Sequence, residues 1–476
     1  MITDGHHHYS PYSNIQVVIM ANRPAFTRDS FGDSALFGLI PIANKPILGH
    51  LLDQFERFGI SNVSIVCLRK DENAYTEFIL QYTSHPVRLI PVEGVLTTCD
   101  IIRNKIVVKN SNEHIFLFPI DLLTSVNLTS IIDFHISTRS LVTIVASKQS
   151  IDEKEKRNAP GFQPVNVGAL TGRRFFVYDE LNPSKLITML SDAAALSEDL
   201  DLSLKQVTMN DNAGPYISHE DSIESLGPYE DEEDGMSIDP AFLNGFKNLM
   251  VDCSMHPTTA YLLSPDCIAQ LIELSDIHSI ETELIPTLCK NEVESLNLTN
   301  NGESPVVKTT PASIFCIDEK DFAFRVTDYA TLYIANMKCA STKLLGFSPS
   351  ADFTLAATQN NNLGYYTEGK HKVHSSFQYS PFCVYGDNLT ANAEDITVSR
   401  SVLGRHCKIG KGTKIYNSVL FDHVTVEEGV VLRDCLIGSD SLIKSNSRLS
   451  QCIVVPRVTT EKSLTREKCI IQSGSK

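Results

Sequence analysis

From Ser401 to Val455 the chain repeats itself every seventeen residues, as SVLGRHCKIGKGTKIYN, SVLFDHVTVEEGVVLRD, CLIGSDSLIKSNSRLSQ and then CIVV. Leu403, Leu420, Ile437 and Val454 fall in register. Within the blocks the apolar positions Leu403, Ile409, Ile415, Leu420, Val426, Leu432, Ile437, Ile443 and Leu449 advance by six, six and five residues. An amphipathic helix returns its apolar face every three or four residues and a half-buried strand every two. Neither period fits. Short internal periods predict a stacked coil with three short faces per turn, each pointing one aliphatic side chain inward. The pattern is that of a parallel β-helix of hexapeptide type; an antiparallel meander with Gly and Asp turns is the alternative, but nothing in a meander requires nine aliphatics in register. One coil cannot bury its inward residues alone, so coils must stack and their ends must be capped. The segment 373–398, VHSSFQYSPFCVYGDNLTANAEDITV, supplies a first and less regular coil.

With 476 residues there is room for two or three domains. The formal net charge of −16 argues against nucleic acid as a direct partner, because holding phosphates needs clustered Lys and Arg. No apolar run approaches the roughly 20 residues of a membrane-spanning helix, and MITDGHHHYSPYS lacks the apolar core of a signal peptide. These features predict a cytosolic protein with no membrane partner. Twelve cysteines are scattered singly and no Cys-x-x-Cys occurs, which predicts free thiols rather than a zinc ribbon or a disulfide framework. Cys435 and Cys452 align with Ser401 and Ser418 and read as stacked small residues of the coil. His6, His7 and His8 could hold a metal weakly, but they fall in residues 1–14, which read as a disordered tail.

Upstream of the coil, strands and helices alternate. IQVVIM (15–20) is a strand, LIPIANKPIL leads into a helix through Leu51, Phe55 and Phe58, and NVSIVCL (62–68) is a second strand. A helix near 73–82, the strand VRLIPV (87–92), a helix near 100–108 and the strand HIFLFPID (114–121) follow. Such alternation implies a Rossmann-like α/β domain with a parallel sheet covered on both faces. Ligands of such sheets bind outside the carboxyl ends of the strands, which places a site between the loop after Met20 and Asp121. Asp121 could hold Mg²⁺ beside a phosphate, or simply cap the segment that follows it. The loop ANRPAFTR has no glycine to bring backbone N–H groups onto an anion, and Pro24 removes a donor; Arg23 and Arg28 could still meet one. Gly410–Thr413 superficially resembles a P-loop but lacks the earlier glycine and lies in the coil, so it reads as a turn.

Residues 210–235 carry nine acidic residues and no Lys or Arg, the composition of a disordered, solvated loop or of a contact with a basic surface. Beyond it, 259–263 reads as a strand and 268–274 as a helix. SIETELIPTLCKNEVESL reads as a second helix, and FAFRVTDYATLYIANMKC as a strand and a helix whose Tyr329, Leu332, Tyr333 and Asn336 recur at helical spacing.

An α/β domain followed by a hexapeptide coil resembles the sugar-nucleotide pyrophosphorylases and their relatives. LIPIANKPILGHLLDQFERFGISNVSIV is similar to that family's segment after its glycine loop. SIETELIPTLCKNE, RVTDYATLYIANMK, the VHSS at Val373 and HVTVEEG followed by VLRDCLIGS resemble the gamma-subunit family of eukaryotic translation initiation factor 2B. The resemblance spans about Ile15 to Val455. It implies a nucleotidyltransferase-type domain over 15–345 with the acidic insertion at about 210–235, a linker at 346–372, a left-handed parallel β-helix over 373–460 and a tail at 461–476. By the same resemblance the family's metal-binding aspartate matches Asp121, its Pro-Lys-Pro falls on Leu36-Phe37-Gly38, and its Gly-Thr-Ala loop falls near Thr97-Thr98-Cys99. Only Arg28 survives from the glycine loop's arginine. Nucleotidyl transfer spreads charge over phosphate oxygens that need cationic and metal clamps. The expectation is therefore a non-catalytic fold with no catalytic, cofactor-binding or metal residues and no cofactor, in which Asp121 is a vestige.

The resemblance further implies pairing with the epsilon subunit, assembly with the alpha, beta and delta subunits, and support of GDP-to-GTP exchange on translation initiation factor 2. In that family the exchange chemistry belongs to a helical-repeat domain of the epsilon subunit, for which the residues after the coil leave no room. A second reading is a non-catalytic regulatory subunit of a mannose-1-phosphate guanylyltransferase complex, although a nucleotide sensor should keep the Gly-Thr-Ala loop. A third is an active enzyme, a nucleotidyltransferase or an acyltransferase using His406 or His423 as general base. Flat outer faces of the coil suit subunit packing, with Tyr416 and Phe421 as outward aromatics.

Overall fold

The computed structural model describes residues 12–21, 36–83, 85–94, 97–106, 112–148, 157–160, 174–179, 182–191, 249–252, 254–291, 309–318, 320–340, 353–357 and 364–472. The histidines of the tail, the loop with Arg23, Pro24 and Arg28, and the acidic insertion at 210–235 lie outside the described residues.

Strand β1 (Ile15–Met20) is six consecutive buried residues, the signature of a strand covered on both faces. It lies between β2 (Val63–Leu68) and β4 (His114–Pro119), and β3 (Val87–Val92) follows β2; all four run parallel. Helices α1 (Ile47–Arg57), α2 (Glu72–Tyr82) and α3 (Thr98–Lys105) make the crossovers. After β5 (Leu122–Thr124) and α4 (Leu128–Thr138), the sheet continues with β6 (Ser140–Ser147), β7 (Arg174–Asp179), β8 (Asn182–Ser191), β9 (Leu249–Asp252), β10 (His256–Leu263) and, beyond α5 (Pro265–Glu273), β11 (Thr310–Ile317). The order is β9-β7-β8-β11-β6-β10-β4-β1-β2-β3, a ten-stranded sheet.

The sheet is mixed rather than wholly parallel, because β10 runs antiparallel to both β4 and β6. Parallel neighbours need a crossover connection such as a helix, and β10 enters the sheet directly from β9, with only three residues between them. α1, α2 and α4 pack on one face, and α3 and α5 on the other. The stretch expected as one helix from 279 begins as a π turn at Ile280–Leu284 and is helical only to 291 among the described residues.

The coil has three parallel sheets. The first stacks Val384–Tyr385, Val402–Leu403, Val419–Leu420, Leu436–Ile437, Ile453–Val454 and Ile470–Ile471. The second runs from Lys372–Val373 to Leu442–Ile443 and the third from Thr397–Ser399 to Thr465–Glu467. All inward aliphatics named in the repeat are at most 5% exposed. At one corner the stacked coils leave no room for a Cβ: one added to Gly404 would lie 2.5 Å from the carbonyl carbon of Phe421.

Two boundaries differ from expectation. Part of the expected linker joins the stack, since Gly364–Glu368 pairs parallel with Val384–Tyr385 and carries Phe353–Ala357 as an antiparallel edge. The expected tail makes a further coil, in which Leu464 and Ile471 still pack inward although polar neighbours hide the repeat.

The first coil sheet is apolar on both sides. Tyr385, Leu403, Leu420, Ile437 and Val454 point into the coil, whereas Val384, Val402, Val419, Leu436 and Ile453 belong to the apolar cluster of the α/β domain. Helix α6 (Tyr329–Ala340) lies between them with ten of its twelve residues buried, as a helix apolar on all sides must be. Phe421, expected to face outward, is 3% exposed within this seam; Tyr416 is half-buried.

Polar contacts fix the register. Tyr333 donates from its hydroxyl to the carbonyl of Asn417 at 2.6 Å, and Asn44 Nδ2 donates to the Leu403 carbonyl at 2.7 Å. Ala43 and Asn44 form a hairpin tip with φ of 49° and 63°, a conformation that costs a non-glycine residue free energy. Asn336 Oδ1 accepts from Ala43 N at 2.9 Å, and its Nδ2 donates to the Leu332 carbonyl at 3.0 Å. Asn336→Ala strands that buried N–H, so the expected loss is about 1–3 kcal/mol, read as a lower urea midpoint; an unchanged midpoint would remove Asn336 as the register pin.

Candidate functional site

The carboxyl edge of the parallel strands is where the sequence placed the site. Pro119 stands opposite Met20, and Ile120 N donates to the Met20 carbonyl at 3.2 Å, which sets Asp121 beside Ala21. Asp121 is 5% exposed, and both carboxylate oxygens are occupied. Arg325 donates from Nε to Oδ1 at 2.9 Å and from Nη2 to Oδ2 at 2.7 Å, a bidentate fork. The arginine comes from β12 (Ala323–Arg325), which pairs antiparallel with β5 so that Arg325 faces Leu122. Burial opposes the guanidinium charge, but the hydrogen bonds and charge of Asp121 outweigh it and raise the Arg325 pKa. A Mg²⁺ ion would need the oxygens that the guanidinium already holds. The arrangement does not fit a metal, and among the described residues no group of three or more His, Cys, Asp or Glu could hold one.

The neighbouring clamp positions are apolar or already paired. Where the resemblance puts Pro-Lys-Pro, Phe37 is fully buried in a short 3-10 turn, and a Cβ on Gly38 would come within 2.4 Å of Ile120 Cδ1. Lys45 is 3% exposed and pairs with Asp53, which also accepts from the Tyr82 hydroxyl at 2.8 Å. Thr97 caps α3 by accepting from Asp100 N at 3.2 Å, and burial pushes the Cys99 thiol up to about 12. That segment starts a helix, so it offers no nucleobase loop. The structure thus brings Asp121 and Arg325 together, a partnership the sequence did not signal across 204 positions.

His406 and His423 stand one above the other at a coil corner, with rings 4.7 Å apart and 4° from parallel. They belong to a column of left-handed residues that includes Asn388 and Asp440, so their spacing follows from the repeat. Gly410–Thr413 is a corner as expected, with Gly412 at φ 69°.

A cleft of about 410 Å³ opens at the other end of the strands, lined among others by His114, His135, Arg139, Ser264 and Asp266. His114 Nδ1 lies 3.1 Å from His135 Nε2, and His135 Nδ1 lies 2.7 Å from Thr143 Oγ1. Thr143 and Ser140 both reach Ser313 Oγ, at 2.9 and 2.8 Å. This buried chain ties β6 to β11. Burial and the adjacent His114 lower the His135 pKa to about 3, and burial beside Lys45 does the same to His50. Both rings are neutral in the fold.

Residues 362–473 match the family model described as the EIF2B subunit epsilon LbH domain. This covers less than half of the chain and supports a place in the EIF2B family, with the run of parallel strands consistent with a left-handed β-helix. The model names the epsilon-type domain, where the sequence resemblance pointed to the gamma subunit. No curated protein matches the chain.

Two outcomes follow from these pairings. Asp121→Asn leaves Arg325 without its countercharge, and because the arginine is about a third exposed the expected cost is only about 1–2 kcal/mol; millimolar Mg²⁺ should leave the wild-type midpoint unmoved, and a rise would show a living metal site. His50 and His135 bind protons more weakly folded than unfolded. Their stabilising effect is full above pH 6.5 and falls as pH drops from there toward 3, by about 1.4 kcal/mol per pH unit for each ring. Urea midpoints that stay level between pH 7.5 and 5.5 would contradict this.

Proposed function

We propose that the chain is a non-catalytic structural and regulatory subunit of the translation initiation factor 2B complex, which exchanges GDP for GTP on translation initiation factor 2. The observation that carries this reading is the match of 362–473 to an EIF2B left-handed β-helix domain. In this reading the α/β domain is a degenerate nucleotidyltransferase fold retained for its surfaces. The Asp121 carboxylate held by Arg325 and the buried Phe37 support that, because the carboxylate is not free for a metal and the position aligned with the family's lysine is apolar. The chain pairs with the epsilon subunit, assembles with alpha, beta and delta, and works in the cytosol.

The gamma assignment rests on SIETELIPTLCKNE and RVTDYATLYIANMK, the second of which forms the seam helix α6. The name of the matched domain favours a second reading, an epsilon-type subunit that carries the exchange activity. One experiment separates them: isolation of the tagged chain from its own cells, mass spectrometry of what accompanies it, and GDP release from initiation factor 2 by the purified chain alone. A gamma-type subunit should bring a second chain with the same coil family plus three further subunits, and by itself leave GDP release at its spontaneous rate. Acceleration by the chain alone would establish the epsilon-type reading. Recovery of a single pyrophosphorylase partner would overturn both.

A further inference from the structure

The corner that precedes each strand of the first coil sheet is occupied by Cys383, Ser401, Ser418, Cys435, Cys452 and Cys469 in turn. The last two are neighbours on adjacent coils. Ile453 pairs with Ile470, Ile453 N donates to the Cys469 carbonyl at 2.9 Å, and the two Sγ atoms are 3.6 Å apart. Neighbouring strands of a ladder run about 4.8 Å apart, inside the roughly 4.4–6.8 Å window of Cα separations that a disulfide spans. Closing the sulfurs to about 2.05 Å takes rotation of both side chains and draws the Cβ atoms to within about 4.5 Å, slightly closer than in-register strands hold them.

The two thiols differ in environment. Cys452 is fully buried, whereas Cys469 is half-buried and in reach of solvent. Cys452 lies between Cys435 and Cys469 in the column, and its S–H has the Ser450 and Arg466 carbonyls to donate to, at 3.2 and 3.4 Å. Burial raises the Cys469 thiol to about 11, so Cys469 meets peroxide once its proton has passed to solvent, and Cys452 lies directly beneath it as the resolving sulfur.

We propose that Cys452 and Cys469 are a peroxide-responsive pair that closes to a reversible disulfide. The Cys469 sulfur attacks one oxygen of hydrogen peroxide, breaking the O–O bond and giving the sulfenic acid and a first water. The Cys452 sulfur then attacks the Cys469 sulfur, forms the S–S bond and expels hydroxide, which takes the Cys452 thiol proton and leaves as a second water. Two thiols lose two electrons and two protons, and one peroxide becomes two waters. The rung lies beside the seam, where Gln451 Nε2 donates to the Asn158 carbonyl at 3.1 Å, so the link is made next to the contact between domains.

The test uses the full chain, folded, exposed to hydrogen peroxide, alkylated, and digested with trypsin without reduction. The expected product joins peptides 449–457 and 469–476, with two free thiols lost per chain and both regained with dithiothreitol. Cys469→Ser should abolish the link and keep the fold, because Ser401 and Ser418 already occupy that corner on other coils. Cys469 carried to sulfinic acid with no link, links spread evenly among other cysteines, or an unlinked pair that alkylates fully would each overturn the proposal.

Discussion

A coil of stacked strands normally needs only its inner face to be apolar, and the rest of this molecule depends on one face that is apolar on both sides. Inward residues Leu403, Leu420, Ile437 and Val454 close the coil, and their neighbours Val402, Val419, Leu436 and Ile453 close the seam with the α/β domain. Full burial of each such aliphatic is worth about 1.5–3 kcal/mol as an upper estimate. The seam therefore fixes the coil against the sheet domain far more firmly than the few polar bonds across it could. Those bonds supply register instead: Tyr333, Asn44 and Asn336 have one geometry each, and apolar contact alone would tolerate sliding.

The Asp121–Arg325 fork connects this seam to the edge of the sheet where a ligand would sit. Arg325 ends the short ribbon β5–β12, Val326 N donates to the Asp121 carbonyl at 2.8 Å, and α6 begins three residues later. A carboxylate that could have held a metal instead holds the strand that launches the seam helix. Ser125 and Asp321 brace the other end of the ribbon at 3.0 Å. Chemistry and architecture compete for the same oxygen atoms here, and architecture has them.

Several elements could be read from residues alone. The seventeen-residue period has no other economical solution, and the strands at 15–20, 62–68, 87–92 and 114–121 announce themselves as short, mainly apolar runs between helical segments. Other elements were hidden. The last coil keeps Leu464 and Ile471 but surrounds them with Thr, Arg, Glu and Lys, so local polarity outweighs the period. The eight buried residues of β6, SLVTIVAS, and the buried residues of β11 include Ser and Thr, and their mutual hydrogen bonds through Thr143 and Ser313 make these tolerable inside. The doubled aliphatics of SVL, SVL, CLI and CIV mark a sheet covered on both faces, and Phe421, directly after one of them, is buried with its outer face.

The sequence by itself determined the coil, its inward column and the helix–strand alternation, because these follow from periodicity, and periodicity is a local property of the chain. It also placed Asp121 at the carboxyl edge of the sheet. Only the tertiary structure decided what Asp121 does there, since Arg325 arrives from 204 positions away through a ribbon that no local pattern encodes. The same is true of the antiparallel direction of β10, the burial of Phe421 and the contact of Cys452 with Cys469. Each depends on which surfaces meet once the coil and the sheet have formed, and that is settled by complementarity across the whole molecule, which no window of residues contains.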